Sequence, residues 1–211
     1  NCDVSEIENF SNLFRRSSIS SLEPIKNWDI SKGEDFKNMF YNCKNIKSLK
    51  PLENWNVSKG KNFRDMFDGC FNLESLKGLE NWDVSKCKNF NGMFFDCYKL
   101  KSIKELENWN VSKGIEFNYM FYGCKNIKFL KPLENWNVSK GKEFRCMFCG
   151  CYNLESLKGL EKWNISNGKW FDNMFDDCKL IISFNSLEKW KINDEHGYNF
   201  HNYTSLIKKF I

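Results

Sequence analysis

The chain has 211 residues and a net charge of +5, with 41% hydrophobic, 28% charged and 17% aromatic residues. It is long enough to bury a core and too aromatic for a disordered segment. Its 3 Pro and 12 Gly exclude a collagen-like chain or a linker, and no apolar run approaches the ~18 residues of a membrane-spanning helix. The sequence opens at Asn1 without a signal peptide, which points to a fragment or a processed chain.

Taken along the chain, one unit repeats. Residues 1–27 form a first, slightly short copy, with Cys2 at its first position and Leu13-Phe14 at its centre. From Trp28 the frame is regular: Trp28, Trp55, Trp82, Trp109, Trp136, Trp163 and Trp190 are each 27 residues apart. Met39, Met66, Met93, Met120, Met147 and Met174 keep the same step, each followed by Phe and then, three residues on, by Cys43, Cys70, Cys97, Cys124, Cys151 or Cys178. The units are therefore 1–27, 28–54, 55–81, 82–108, 109–135, 136–162 and 163–189, with 190–211 a divergent last repeat or cap. Units 55–81 and 136–162 agree at 22 of 27 positions, more than adjacent units do, so a block of three units has been duplicated. Such growth suits an array in which each unit touches only its neighbours.

Within unit 82–108 the repeated apolar positions are Trp82, Val84, Phe90, Met93, Phe94, Cys97, Leu100, Ile103 and Leu106. They follow neither a two-residue nor a 3.6-residue period, which excludes one long strand or helix and predicts a coil with one apolar side turned inward. Stacked coils place Trp on Trp and Phe on Phe at a strand-like ~4.8 Å. The stretch after each Trp reads as a turn, in which Asp29, Asn56 or Asp83 accepts a backbone hydrogen bond from two residues on. Gly33, Gly60, Gly114, Gly141 and Gly168 recur at one place and read as a positive-φ site, interrupted by Cys87. Residues 63–67 have helical spacing and predict one helical or 3₁₀ turn. Residues 73–77 predict a strand. Asn27, Asn54, Asn81, Asn108 and Asn135 form a column readable as a buried ladder bonding the turns of adjacent coils, or as exposed turn residues.

The string LxxLxxLENWDVSxxxxFxxMFxxC, carried about seven times, resembles the BspA-like leucine-rich repeat surface proteins. Leu73, Leu76 and Asn81 fit the general leucine-rich pattern LxxLxLxxN, while Gly78, Pro51 and Glu105 depart from it at the sixth position, with Leu79 apolar one residue later. The resemblance implies an α+β repeat protein: a right-handed leucine-rich-repeat-type solenoid of short strands, turns and single helical or 3₁₀ turns. It also implies a non-catalytic interaction surface or adhesin, secreted or on a cell surface.

On such a solenoid the predicted strand faces the concave side. Lys50, Lys77, Lys104, Lys131 and Lys158 form one column there, with Ser48, Ser75, Ser102, Phe129 and Ser156 two residues before. These ten residues are the candidate partner-binding stripe, for a protein or an acidic glycan. Glu53, Glu80, Glu107, Glu134, Glu161 and Glu188 run three residues beyond the lysines and would offset their mutual repulsion of ~0.8 kcal/mol per neighbour. The same stripe therefore also reads as a self-neutralised solvated face. Nucleic acid is disfavoured, because the Glu columns would repel phosphates.

No nucleophile, phosphate-loop or dinucleotide motif is present, and both histidines, His196 and His201, lie in the tail. No enzyme activity, cofactor or metal is expected. Cys146, Cys149 and Cys151 are clustered but lack a second ligand pair for structural zinc. Stacked cysteines have parallel side chains, which suits buried thiols better than disulfides. Many free thiols favour a reducing compartment, so the alternative to a surface protein is a cytoplasmic or virion scaffold. Asn56, Asn110, Asn137, Asn164 and Asn202 match the glycosylation acceptor pattern, although the turn role accounts for them more simply. Further repeats or another chain are expected to cover the apolar N-terminal end.

Overall fold

The computed structural model describes residues 2–190, so of unit 190–211 only Trp190 is described, and His196, His201 and the Asn202 acceptor lie outside the described residues. The chain winds into coils that stack in register. Asn9, Asp35, Asn62, Asn89, Glu116, Glu143 and Trp170 form one column of parallel single-residue bridges, each joined to its counterpart in the next coil.

The next seven residues of each coil carry most of the inter-coil bonding. Phe63, Asp65, Phe67 and Gly69 donate their N–H groups to the carbonyls of Asn89, Asn91, Met93 and Phe95 at 2.8–3.0 Å. The N–H groups between them close turns within the coil: Met66 bonds Phe63 and Cys70 bonds Phe67, both at 3.2 Å. The third residue of each turn has positive φ, Asp65 at 53° and Gly69 at 69°. Two successive turns of this kind explain the apolar spacing of Phe63, Met66 and Phe67 without a helix. A helix would use every one of these N–H groups internally, whereas here alternate ones are free to reach the neighbouring coil. The helical reading of residues 63–67 is thus replaced by a double turn.

Other expectations are corrected as well. Among the described residues there is no α-helix and no strand longer than a single bridge, so the α+β description gives way to turns, isolated bridges and 3₁₀ helices at Glu23–Ile25, Lys50–Leu52, Lys104–Leu106, Lys131–Leu133 and Asn185–Leu187. Residues 73–76 have no regular structure and Lys77 lies in a turn; among the described residues one bridge in that column joins Phe129 to Ser156, and the Glu74 N–H reaches the Lys47 carbonyl only at 3.4 Å. Asn27, Asn54, Asn81, Asn108 and Asn135 are all exposed, so the buried ladder is absent. The glycines of the Gly33 column do not have positive φ. Each lies under the ring of the Phe three residues on, where an added Cβ would come within 2.1–2.4 Å of the ring tip. Close approach, not backbone handedness, favours glycine there. Cys87 shows that the place admits a small side chain, its thiol donating to the Asn89 carbonyl at 3.2 Å.

The inward columns are one continuous core from Val4 to Trp190. Phe14, Phe40, Phe67, Phe94, Phe121, Phe148 and Phe175 stack ring on ring at 5.4–5.8 Å. Each buried ring contributes about 1.5–3 kcal/mol relative to exposure. Tryptophan does two things at once. Its ring is buried, and its indole N–H donates to a carbonyl 30 residues earlier, one turn of the stack back: Trp82 to Leu52 at 3.1 Å, Trp109 to Leu79 at 2.9 Å, Trp136 to Leu106 at 2.9 Å. The asparagine or aspartate after it makes the expected turn, with Asp83 accepting from Ser85 N–H at 3.0 Å and Asn110 from Ser112 N–H at 3.1 Å.

Candidate interaction surface

The Ser/Lys stripe does not lie on a strand. In each coil the serine hydroxyl turns back to accept the N–H of the lysine two residues on, at 3.1–3.2 Å for Ser48–Lys50, Ser75–Lys77, Ser102–Lys104 and Ser156–Lys158. The serines are thus structural acceptors, and the lysines start the corner that leads to the buried leucine. Lys50, Lys104 and Lys131 open 3₁₀ helices. All five lysines are exposed, and Phe129, at the interrupted serine position, is 55% exposed.

The corner alternates in a way that bears on charge. Pro51, Glu105 and Pro132 sit in 3₁₀ helices, whereas Gly78 and Gly159 occupy the same place with φ of 107° and 109°. In the 3₁₀ coils Lys50 pairs with Glu53 and Lys131 with Glu134. In the glycine coils the equivalent glutamates turn back onto the local backbone instead, Glu80 accepting the Gly78 N–H at 2.6 Å and Glu161 the Gly159 N–H at 2.5 Å. The three-unit block thus has a physical counterpart: the lysine column is neutralised in some coils and not in others. Glu105 is buried, with Oε2 lacking a hydrogen-bond partner.

A second column escapes a search for identical residues. Lys44, Phe71, Tyr98, Lys125, Tyr152 and Lys179 each follow a column cysteine, and each is either a cation or a ring. Phe71 stacks on Tyr98 at 4.9 Å. Lys125 lies 4.3 Å from the Tyr98 ring and 5.6 Å from Tyr152, and Lys179 lies 5.0 Å from Tyr152. One step inward, Phe95 stacks on Tyr122 at 4.5 Å. The only sequence signal for this face is adjacency to the periodic Cys.

Beside it lies a cleft of about 290 Å³ lined by Arg64, Asp65, Asp68, Asn91, Phe95 and Tyr119, among others. Burial raises Asp68, and the negative charges of Asp65 and Asp96 add to this, pushing it up to about 7. Burial also raises Asp65, opposed by Arg64, and Asp96, opposed by the hydrogen bond it accepts from Tyr98 at 2.8 Å.

All ten cysteines are free thiols. Those of the column donate S–H to a phenylalanine carbonyl of the preceding coil, as Cys97 does to Phe67 at 3.4 Å and Cys124 to Phe94 at 3.1 Å. Burial raises their pKa, Cys97 to well above the ordinary value. They are donors as well as small apolar groups. Asn56, Asn110, Asn137 and Asn164 are exposed, each with its side-chain oxygen engaged in a turn.

Every inter-coil hydrogen bond described above joins positions 26–30 residues apart, one turn of the stack, which defines a repeat solenoid. The chain belongs to the family described as "Mycoplasma protein of unknown function, DUF285", whose model matches residues 1–103 and again residues 101–209. No curated protein matches it. Among solved structures it is similar to a leucine-rich repeat protein from Bacteroides ovatus ATCC 8483, with 16% identity and a TM-score of 0.34 over 67% of this chain and 37% of that one. No helix among the described residues is long and apolar enough to cross a membrane.

Proposed function

We propose that this solenoid is a non-catalytic interaction module of the BspA-like leucine-rich type, right-handed, presenting an extended face to an acidic protein or glycan at a cell surface. The observation that carries the reading is the contrast between columns. The inward positions are nearly constant and consumed by stacking, while the half-buried to exposed column Lys44, Phe71, Tyr98, Lys125, Tyr152 and Lys179 varies and pairs cations with rings. Rings and cations together suit a partner with carboxylate or sulfate groups and apolar surface.

Titration with poly-glutamate and with a sulfated glycan tests this. Weaker binding of the Tyr98→Ala, Lys125→Glu, Tyr152→Ala variant places the site on the aromatic column. Weaker binding of Lys77→Glu, Lys104→Glu, Lys131→Glu, with little effect on folding, places it on the Ser/Lys stripe. No binding of either probe by the native chain would sink the proposal.

The ten free thiols favour a second reading, a scaffold in a reducing compartment or virion. Thiol titration of protein taken from its natural source separates the two: oxidised cysteines support the surface reading and reduced ones the scaffold.

A further inference from the structure

Coils 55–81 and 136–162 differ at five positions, and two of these put Cys146 and Cys149 where the earlier coil has Asp65 and Asp68. Both pairs are first and fourth residues of the same tight turn. The Cys149 N–H donates to the Cys146 carbonyl at 3.2 Å, as Asp68 does to Asp65 at 3.3 Å. Such residues have Cα atoms within ~7 Å, a span that overlaps the ~4.4–6.8 Å of a disulfide. The turn is held from both sides, Cys146 N–H donating to the Asp172 carbonyl and the Cys149 carbonyl accepting from Gly123 N–H, each at 2.8 Å. The two cysteines are thus the ends of a single hydrogen-bonded turn. Cys146 is almost covered and Cys149 is half-buried. The column cysteines differ, because their S–H groups are spent on carbonyls of the preceding coil.

We propose that Cys146 and Cys149 are a vicinal dithiol site that exchanges with low-molecular-weight disulfides and closes into an intramolecular disulfide. Cys149, the more exposed, attacks one sulfur of the small disulfide as a thiolate; its S–S bond breaks, and one small thiol leaves with a proton. Cys146, beside Arg145, then attacks the Cys149 sulfur of the mixed disulfide and displaces the second small thiol, which takes the second proton. Two electrons pass from the dithiol to the small disulfide. The turn already holds the two residues side by side, so the second step outruns release of the mixed disulfide. Burial raises both thiols, with Asp176 and Asp177 adding to the effect at Cys149, so the exchange accelerates as pH rises. The new bond would rigidify the face beside Tyr122, whose phenol is raised chiefly by the adjacent Cys149.

The test treats the native full chain with glutathione disulfide, alkylates the remaining thiols, and maps the peptides by mass. The expected product is a peptide spanning residues 146–149 that has lost two hydrogens, carries neither alkyl group nor glutathione, and is restored by dithiothreitol. The Cys149→Ser chain is expected to give no such product. The Cys146→Asp, Cys149→Asp chain, which borrows the residues of coil 55–81, is also expected to give none while keeping its fold. A lasting glutathione adduct on Cys149, two thiols that stay alkylatable, or a bridge from Cys149 to Cys151 would each overturn the proposal on the native chain alone.

Discussion

The inside and the outside of each coil obey different rules. Inward residues serve two partners: Trp109 fills its own layer and donates to Leu79 one turn of the stack back, and Phe121 stacks on both Phe94 and Phe148. A change there is felt in two coils, which suits columns that barely vary. Outward residues also touch neighbouring coils, as Lys125 does at Tyr98 and Tyr152, but those contacts accept different residue types. The place held by Asp68 in one coil is held by Phe95, Tyr122, Cys149 and Asp176 in others. Variation is cheap on that side, and recognition can be built there.

The strongest way to break this contrast is at the interior. Trp109→Ala is expected to lose about 3–5 kcal/mol in urea denaturation followed by circular dichroism. Trp109→Phe, which keeps a ring but leaves the Leu79 carbonyl with only the Trp82 N–H, is expected to lose about 0.5–1.5 kcal/mol. A loss below about 1 kcal/mol for the alanine variant would mean that stacking does not hold the array.

The corner sharpens the contrast. Gly78 has φ of 107°, and a Cβ there would lie 2.3 Å from the Leu49 carbonyl oxygen. Gly78→Ala is therefore expected to cost about 1–3 kcal/mol. At the equivalent place in the next coil Glu105→Pro should do the opposite, since it removes an unpartnered buried oxygen and matches Pro51 and Pro132. A gain of about 0.5–1 kcal/mol is expected. Equal effects at the two sites would refute the alternation of corners.

A smaller effect concerns pH. Asp68 is pushed up to about 7 from an ordinary 3.8 by burial and by Asp65 and Asp96. A carboxyl with a raised folded value holds its proton longer in the folded chain. Its contribution is most favourable below the unfolded value and is lost as pH climbs from about 4 to about 7. Solvent at this half-buried group weakens the effect. Denaturation midpoints should fall across that window in the native chain and fall less in Asp68→Asn; parallel profiles would remove Asp68 as the cause.

The smallest effect is expected on the outer column. Tyr98→Ala should change stability by no more than about 1 kcal/mol, the scale of an exposed cation–π contact, while weakening binding to acidic probes. A loss as large as that of Trp109→Ala would show that the outer column is structural.

The period, the inward columns and the Asx turns were legible in the sequence. The first two repeat identical residues, and the turns depend on chemistry two residues apart. The Lys and Ser columns were legible as columns but not as turns, because the hydroxyl–backbone bond competes locally with strand pairing. The Gly33 column was visible with the wrong cause: a ring three residues away excludes a side chain there, and repetition alone cannot tell that from a positive-φ site. The real positive-φ positions are held by Asn, Asp, Gly, Arg16, Tyr119 and Cys146 in different coils, and so never appear as one repeated letter.

From the residues alone came a stack of 27-residue coils with Trp, Phe, Met, Cys and Leu turned inward, since burying those side chains requires neighbours of the same shape. Only the folded stack settled which peptide groups point along it, where the backbone turns left-handed, which lysines meet a glutamate, and that two cysteines share one turn. Each of those depends on a partner in the next coil or on the direction of a peptide plane, and a repeat period carries no information about either.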